Sequence, residues 1–183
     1  MNSNCQIQYK NVLLKGLEKK DIEKLRNWRN DQELSKYLRK IPYITKEEQE
    51  EWFNYYCIDK SIITFAIFQK DNKNDIVGSV SIYACKNDEC EMGKFLIGDI
   101  NVRNKEVGFN SWKSVCYFAF VELQIHNIIC KVNRDNKPAI NIYKKTGFKI
   151  QSLNNNEYTM LLDKKSFYNN HNDLNDIEIS KSL

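Results

Sequence analysis

The period of the hydrophobic positions changes several times along the chain, and each change marks an element. Residues 91–97 mix β-branched and aromatic residues with a glycine, as a half-buried strand does. Residues 98–108 are polar and have no period. Phe109, Trp112, Cys116, Ala119, Phe120 and Leu123 then recur at steps of three and four, which predicts the apolar face of a helix. Upstream, residues 11–17 read as a strand, and Ile22, Leu25 and Trp28 predict a short helix ending near Arg29-Asn30-Asp31. Ile41-Pro42 breaks the pattern. Thr45-Lys46-Glu47-Glu48 then has the form of a capping box, with the Thr45 hydroxyl set to accept from the Glu48 N–H. The helix it opens carries Trp52, Phe53 and Tyr56 inward, with Tyr55 or Tyr56 near enough to its end to reach a cleft.

Residues 62–69 and 76–85 predict a hairpin around the turn-rich stretch 70–75, and Lys86-Asn87-Asp88 turns the chain into the strand that begins near Glu91. Residues 128–132 form a short apolar strand. Pro138 falls in the first turn of the next helix, where its missing N–H is no loss, and Gly147 suits its C-terminal cap. Residues 149–152 and 158–162 predict a last hairpin around Asn154-Asn155-Asn156. From Lys164 onward large apolar residues are few among many Asn, so residues 164–183 read as a polar tail or one short helix.

Length and charge narrow the classes. A chain of 183 residues is one domain's worth, here residues 1–163 followed by the tail. The formal charge of +4 comes from Lys and Arg interspersed with Asp and Glu, so there is no basic stripe for nucleic acid, although a mildly positive surface suits an anionic ligand. Cys5, Cys57, Cys85, Cys90, Cys116 and Cys130 form no C-x-x-C, and His126 and His171 have no ligand spacing. Buried reduced thiols and no metal are the expectation. The N-terminus lacks an apolar signal core and no run has the length of a membrane span, which predicts a cytoplasmic protein without a membrane partner.

A strand feeding a glycine-bearing loop that opens a helix gathers free N–H groups at the positive end of a helix dipole, a site for phosphate. The next segment makes this specific. Val132, Asn136, Ala139, Ile140, Tyr143, Lys145, Gly147 and Phe148 match the second signature of the GNAT family of acetyl-CoA-dependent N-acetyltransferases, which the chain resembles over residues 12–162. Glu91-Met92-Gly93 is similar to the start of that family's fourth strand, and Ile97-Gly98-Asp99 to the run before its pyrophosphate loop. The loop Arg103-Asn104-Lys105-Glu106-Val107-Gly108 departs from the family, because Glu106 stands where a central glycine belongs. That carboxylate is expected to widen the loop or turn to solvent, weakening acetyl-CoA binding about tenfold, with Lys105 and Arg103 placed to offset it.

The resemblance implies a single α+β domain with a mixed, largely antiparallel sheet of about seven strands and helices on both faces. It implies acetyl-CoA as co-substrate and direct attack by a primary amine of a small molecule or amino sugar, with a homodimer compatible. Tyr143 matches the tyrosine that protonates the CoA sulfur. Glu91 matches a carboxylate that serves as general base, its pKa raised by burial. Leu96, Ile97, Arg103, Asn104, Lys105, Val107, Gly108, Phe109 and Asn136 fall at cofactor-binding positions, and backbone N–H groups of 94–97 at the thioester carbonyl. Trp28, Arg29 and Asn30 resemble an acceptor-side run in branches acting on ribosomal-protein N-termini and on nucleotide-linked amino sugars, with Arg39 a further clamp candidate. A protein N-terminal acetyltransferase and a non-catalytic CoA-binding module are the alternatives.

Overall fold

A computed structural model describes residues 5–39, 41–102 and 105–181. Nine strands form one sheet: β1 (Cys5–Tyr9), β2 (Val12–Gly16), β3 (Ile63–Gln69), β4 (Asn72–Lys86), β5 (Glu89–Ile97), β6 (Asn127–Asn133), β7 (Lys149–Asn154), β8 (Glu157–Asp163) and β9 (Glu178–Lys181). Their order is β7-β8-β6-β5-β4-β3-β2-β1-β9. Every pairing is antiparallel except β5 with β6. The helices are α1 (Ile22–Asn30), α2 (Gln32–Ser35), α3 (Lys46–Ile58), α4 (Val107–Val121), α5 (Lys137–Thr146) and α6 (Lys164–Asn170). None among the described residues is long and apolar enough to cross a membrane.

Alternation along the strands splits the core between two faces. Val12, Leu14, Phe65 and Ile67 meet α4 and α5 on one side. Leu13, Ala66 and Phe68 meet Leu25, Trp28, Phe53 and Tyr56 on the other. The Thr45 capping box forms as its sequence implies: the Glu48 N–H donates to Thr45 Oγ1 at 3.1 Å and the Thr45 N–H to Glu48 Oε2 at 2.8 Å. Of the three aromatics expected inward on α3, Phe53 and Tyr56 are buried, while Trp52 is 37% exposed.

The two strands beyond the expected seven are β1 and β9, which together form one edge. Alternation in Cys5-Gln6-Ile7-Gln8-Tyr9 buries Ile7 and Tyr9 completely. Where a polar tail or one short helix was expected at 164–183, the described part holds a short helix and more. Residues 164–181 fold back as α6, a short 3-10 turn and β9, because Phe167, Leu174 and Ile177 are buried among the polar residues. A charged cluster pins this segment. Lys113 on α4, only 1% exposed, donates to the Tyr9 hydroxyl at 3.0 Å and pairs with Asp173. Tyr9 donates to Asp173 at 2.5 Å, and Lys10 approaches it at 3.2 Å. Burial would raise the Asp173 pKa, but hydrogen bonds from Lys113, Tyr9 and Lys10 outweigh it and hold the carboxyl well below its ordinary range.

The cysteine expectation is corrected in part. Cys90, Cys116 and Cys130 are buried, Cys5 is partly buried, and Cys57 and Cys85 are exposed.

Candidate active site

The site begins where the sheet stops being continuous. β5 and β6 pair only through Glu89 with Asn127, Cys90 with Ile128 and Glu91 with Ile129. Beyond Glu91 they no longer pair, which leaves a wedge with backbone groups on its walls. On its other edge β5 carries a bulge: Ser79 faces Leu96 and Ser81 faces Gly93, so Lys94 and Phe95 together oppose Val80. Lys94 takes a φ of 48°, in the left-handed region. The bulge re-aims residues 94–97, the segment whose N–H groups the sequence assigned to the thioester carbonyl.

Past the wedge, β5 leads through residues 98–106 into α4. Glu106 is the N-terminal cap of α4 at φ 58°, with no side-chain capping hydrogen bond. Glycine, which the resemblance implies at this position, takes the left-handed region without the cost that a side chain adds. Its carboxylate turns outward and accepts from Lys145 Nζ at 2.7 Å, which together with the Lys145 charge lowers its pKa. The offsetting cation is thus Lys145 on α5 rather than Lys105. Arg103 and Asn104 lie outside the described residues. Lys145 also stands 4.0 Å from the ring centroid of Phe109. Asn11 holds the loop in place, donating to the Lys105 carbonyl and accepting from Asn110, both at 2.7 Å. Val107 is core, 1% exposed, and Gly108 lies against Ile142, Phe95 and Ile97.

Tyr143 lies on the inner face of α5, its ring 4.2 Å from Trp112 and 5.9 Å from Phe148 between centroids. Burial raises its pKa well above the ordinary phenol value, with Cys130, Tyr83 and Cys116 adding to the shift. It therefore carries its proton throughout the physiological range. Asn136 caps α5, its side-chain oxygen accepting from the Ala139 N–H at 3.3 Å.

Glu91 faces a cavity of about 890 Å³. Both its oxygens are engaged, Oε1 by the Tyr83 hydroxyl at 2.9 Å and Oε2 by Lys131 at 3.3 Å. The burial expected around it is only partial: a hydroxyl and a cation face its oxygens, and the side chain remains 21% exposed. Burial, then the bond to Glu91, pushes the Tyr83 pKa up. Gly93 makes this contact possible, because a Cβ there would fall 2.5 Å from the Tyr83 hydroxyl.

Of the predicted acceptor-side run, Arg29 lines the cavity; Leu96 does so as well. Trp28 does not. It is 8% exposed and lies across Gly98, where a Cβ would come 2.0 Å from the indole. It thus braces the end of β5 from below, a packing role. Asn30 pairs with the backbone of Ile44 in both directions at 2.9 Å, fixing the segment that forms the outer wall. Tyr55 is 67% exposed and Tyr56 hydrogen-bonds to Thr64, and neither lines the cavity; Trp52 does. Sequence reasoning missed Tyr83, Lys94 and Lys131. A signal for Tyr83 existed: Tyr83 and Glu91 are equidistant from Asn87, and the hairpin pairs them.

The profile of the acetyltransferase (GNAT) domain matches residues 11–149. The chain belongs to the GNAT acetyltransferase family. It is an acetyl-CoA-dependent N-acetyltransferase, and no cluster of His, Cys, Asp and Glu among the described residues has the make-up of a metal site. It is 26% identical over 160 residues to an N-acetyltransferase 9-like protein of Caenorhabditis briggsae, covering 81% of this chain and 80% of that one. Spermidine N-acetyltransferase from Vibrio cholerae, solved with CoA and spermine, superposes with a TM-score of 0.77 at 19% identity, over 86% of this chain and 98% of that chain. FdhC, described as a nucleotide-linked sugar GNAT, gives 0.74 at 19% identity over 93% of both. At such identities the two structures establish a common fold.

Proposed function

We propose that this GNAT enzyme acetylates the primary amine of a small molecule of amino-sugar type by direct attack on acetyl-CoA. One observation carries the reading: a cavity of about 890 Å³, within the size range of small-molecule sites, opens beside Glu91 and is walled by Tyr37, Tyr43 and Trp52. Flat aromatic walls suit a sugar or a base.

In this reading the N–H groups of Val107, Gly108 and Phe109, with Lys105, bind the pyrophosphate at the α4 N-terminus. Among the described residues the Asn136 side-chain nitrogen, Nδ2, makes no hydrogen bond, which leaves it for the pantetheine arm. Acetyl-CoA supplies the thioester. Backbone N–H groups at the β5 bulge stabilise the carbonyl oxygen as the amine attacks, forming C–N and releasing C–S. Glu91 takes the amine proton, directly or through one water, with Tyr83 and Lys131 orienting it. Tyr143, protonated at neutral pH, donates to the departing sulfur.

The test is a panel of sugar amines, polyamines and peptide N-termini with acetyl-CoA, read by thiol release. Turnover of sugar amines is expected. Turnover confined to peptides would replace this reading with protein N-terminal acetylation.

A further inference from the structure

Two cations stand in the acceptor cavity outside any ion pair among the described residues. Arg29 reaches it from the last turn of α1, and Lys94 from the bulge of β5. Among the described residues neither forms an ion pair. The only side-chain hydrogen bond of Arg29 among the described residues runs from Nη2 to the Arg39 carbonyl at 3.4 Å, and Lys94 Nζ lies 5.4 Å from the Tyr83 ring centroid. Lys94 is exposed at the cavity, and partial burial, then the Arg29 charge, lowers its pKa against a weaker pull from Asp59. Burial likewise lowers that of Arg29. Like charges brought together in a partly desolvated space are destabilising until an anion joins them. Arg39 lines the same cavity and adds a third cation.

The carboxylates of this cavity do not serve as that anion. Glu91 is held by Tyr83 and Lys131. Glu48 is occupied as the return bond of the capping box. Glu157 belongs to the other end, where β8 pairs it with Asn133 of β6. Glu91 and Glu157 thus lie toward β6 and β8, with Lys131 paired to Glu91, whereas Arg29 and Lys94 stand toward α1 and the bulge, with Glu48 of α3 the carboxylate on that side.

From this geometry we infer that the acceptor is a phosphate-bearing amine, its phosphate held by Arg29 and Lys94 while its amino group faces Glu91. A phosphate carries up to two negative charges and matches the two cations, where a carboxylate would leave one uncompensated. A polyamine, having no anionic group, fits this end poorly. The inference rests on the proposed small-amine acetylation and names the chemistry of its acceptor.

The experiment compares kcat/KM for glucosamine, glucosamine 6-phosphate, uridine-diphosphate-linked glucosamine and spermidine at fixed acetyl-CoA. At least one of the two phosphorylated sugars should exceed glucosamine by about tenfold or more, with spermidine lowest. Which of the two leads tells a monophosphate from a diphosphate linkage. In Arg29→Gln and, separately, Lys94→Gln, the phosphorylated-to-neutral ratio should fall by about tenfold through KM. Equal rates for glucosamine and both phosphorylated sugars, a preference for spermidine, or an unchanged ratio in both variants would each overturn the inference while leaving acetyl transfer intact. If no amine releases thiol, the functional proposal itself fails. Calorimetric binding of glucosamine 6-phosphate against glucosamine, with CoA present, then decides the phosphate subsite, tighter binding of the phosphate supporting it and equal binding overturning it.

Discussion

The two sides of the wedge between β5 and β6 are built differently. The acyl-donor side is nearly continuous in sequence: β5, the loop, α4, β6 and α5 follow one another, and its groups rest on a packed core of Trp112, Tyr143 and Phe148. The acceptor side is gathered from α1, the segment after α2, α3, two strands of one hairpin and β6, and its outer wall is exposed, Tyr43 at 70%. A chemically constant donor is thus served by a rigid unit, and the partner that varies by surfaces that tolerate change.

If that contrast is right, the donor side should fail as a scaffold and the acceptor side should fail as a binding surface. The largest effect is expected at Asp173, whose carboxylate compensates buried Lys113 beneath α4. Asp173→Asn should lower unfolding stability by about 3 kcal/mol, read by denaturant titration at pH 7, since it leaves a buried ammonium unpaired. The pH dependence follows from the sign of the shift. A carboxyl whose folded pKa lies below its unfolded value near about 3.9 contributes stability that is present above that pH and lost as pH falls toward the folded value. The variant should therefore show a flatter acid limb; an unchanged limb would mean that Asp173 is not coupled to folding.

On the acceptor side, Asn30→Ala removes both bonds to Ile44. The acceptor KM should rise by about tenfold with acetyl-CoA affinity unchanged, as loss of a positioned wall requires. A parallel loss of acetyl-CoA affinity would show the two sides to be one unit.

The smallest effect is expected at Glu106. Glycine there relieves about 1 kcal/mol of left-handed backbone strain and frees Lys145 beside the loop, while the exposed ion pair it removes is worth little. Glu106→Gly should raise thermal stability and tighten acetyl-CoA binding about threefold at low salt, less at high salt. Weaker binding would mean that the Glu106–Lys145 pair shapes the loop.

How far each side was legible in sequence follows from the same contrast. Steps of three and four gave α4, Pro138 and Gly147 framed α5, and the capping box opened α3, since each of these signals is local. Glu106 was visible as a departure because its neighbours are consecutive, but its partner Lys145 lies a helix away. Trp28 looked like an acceptor residue and proved to brace Gly98, since only the tertiary fold brings α1 under the end of β5. Lys131 and Lys94 reach the cavity through a parallel register and a bulge, neither of which has a sequence period. The closing strand β9 was hidden because the apolar residues of its segment are few, though Phe167, Leu174 and Ile177 are buried.

The most direct test of the donor side, and of the chemistry assigned to it, is Tyr143→Phe, which keeps the ring against Trp112 and removes only the hydroxyl. Measured with a saturating amine acceptor, kcat should fall by about 100-fold or more while the calorimetric Kd for acetyl-CoA stays the same. A kcat within about threefold of the parent would contradict it, leaving Tyr143 a packing residue and the departing sulfur protonated by another group.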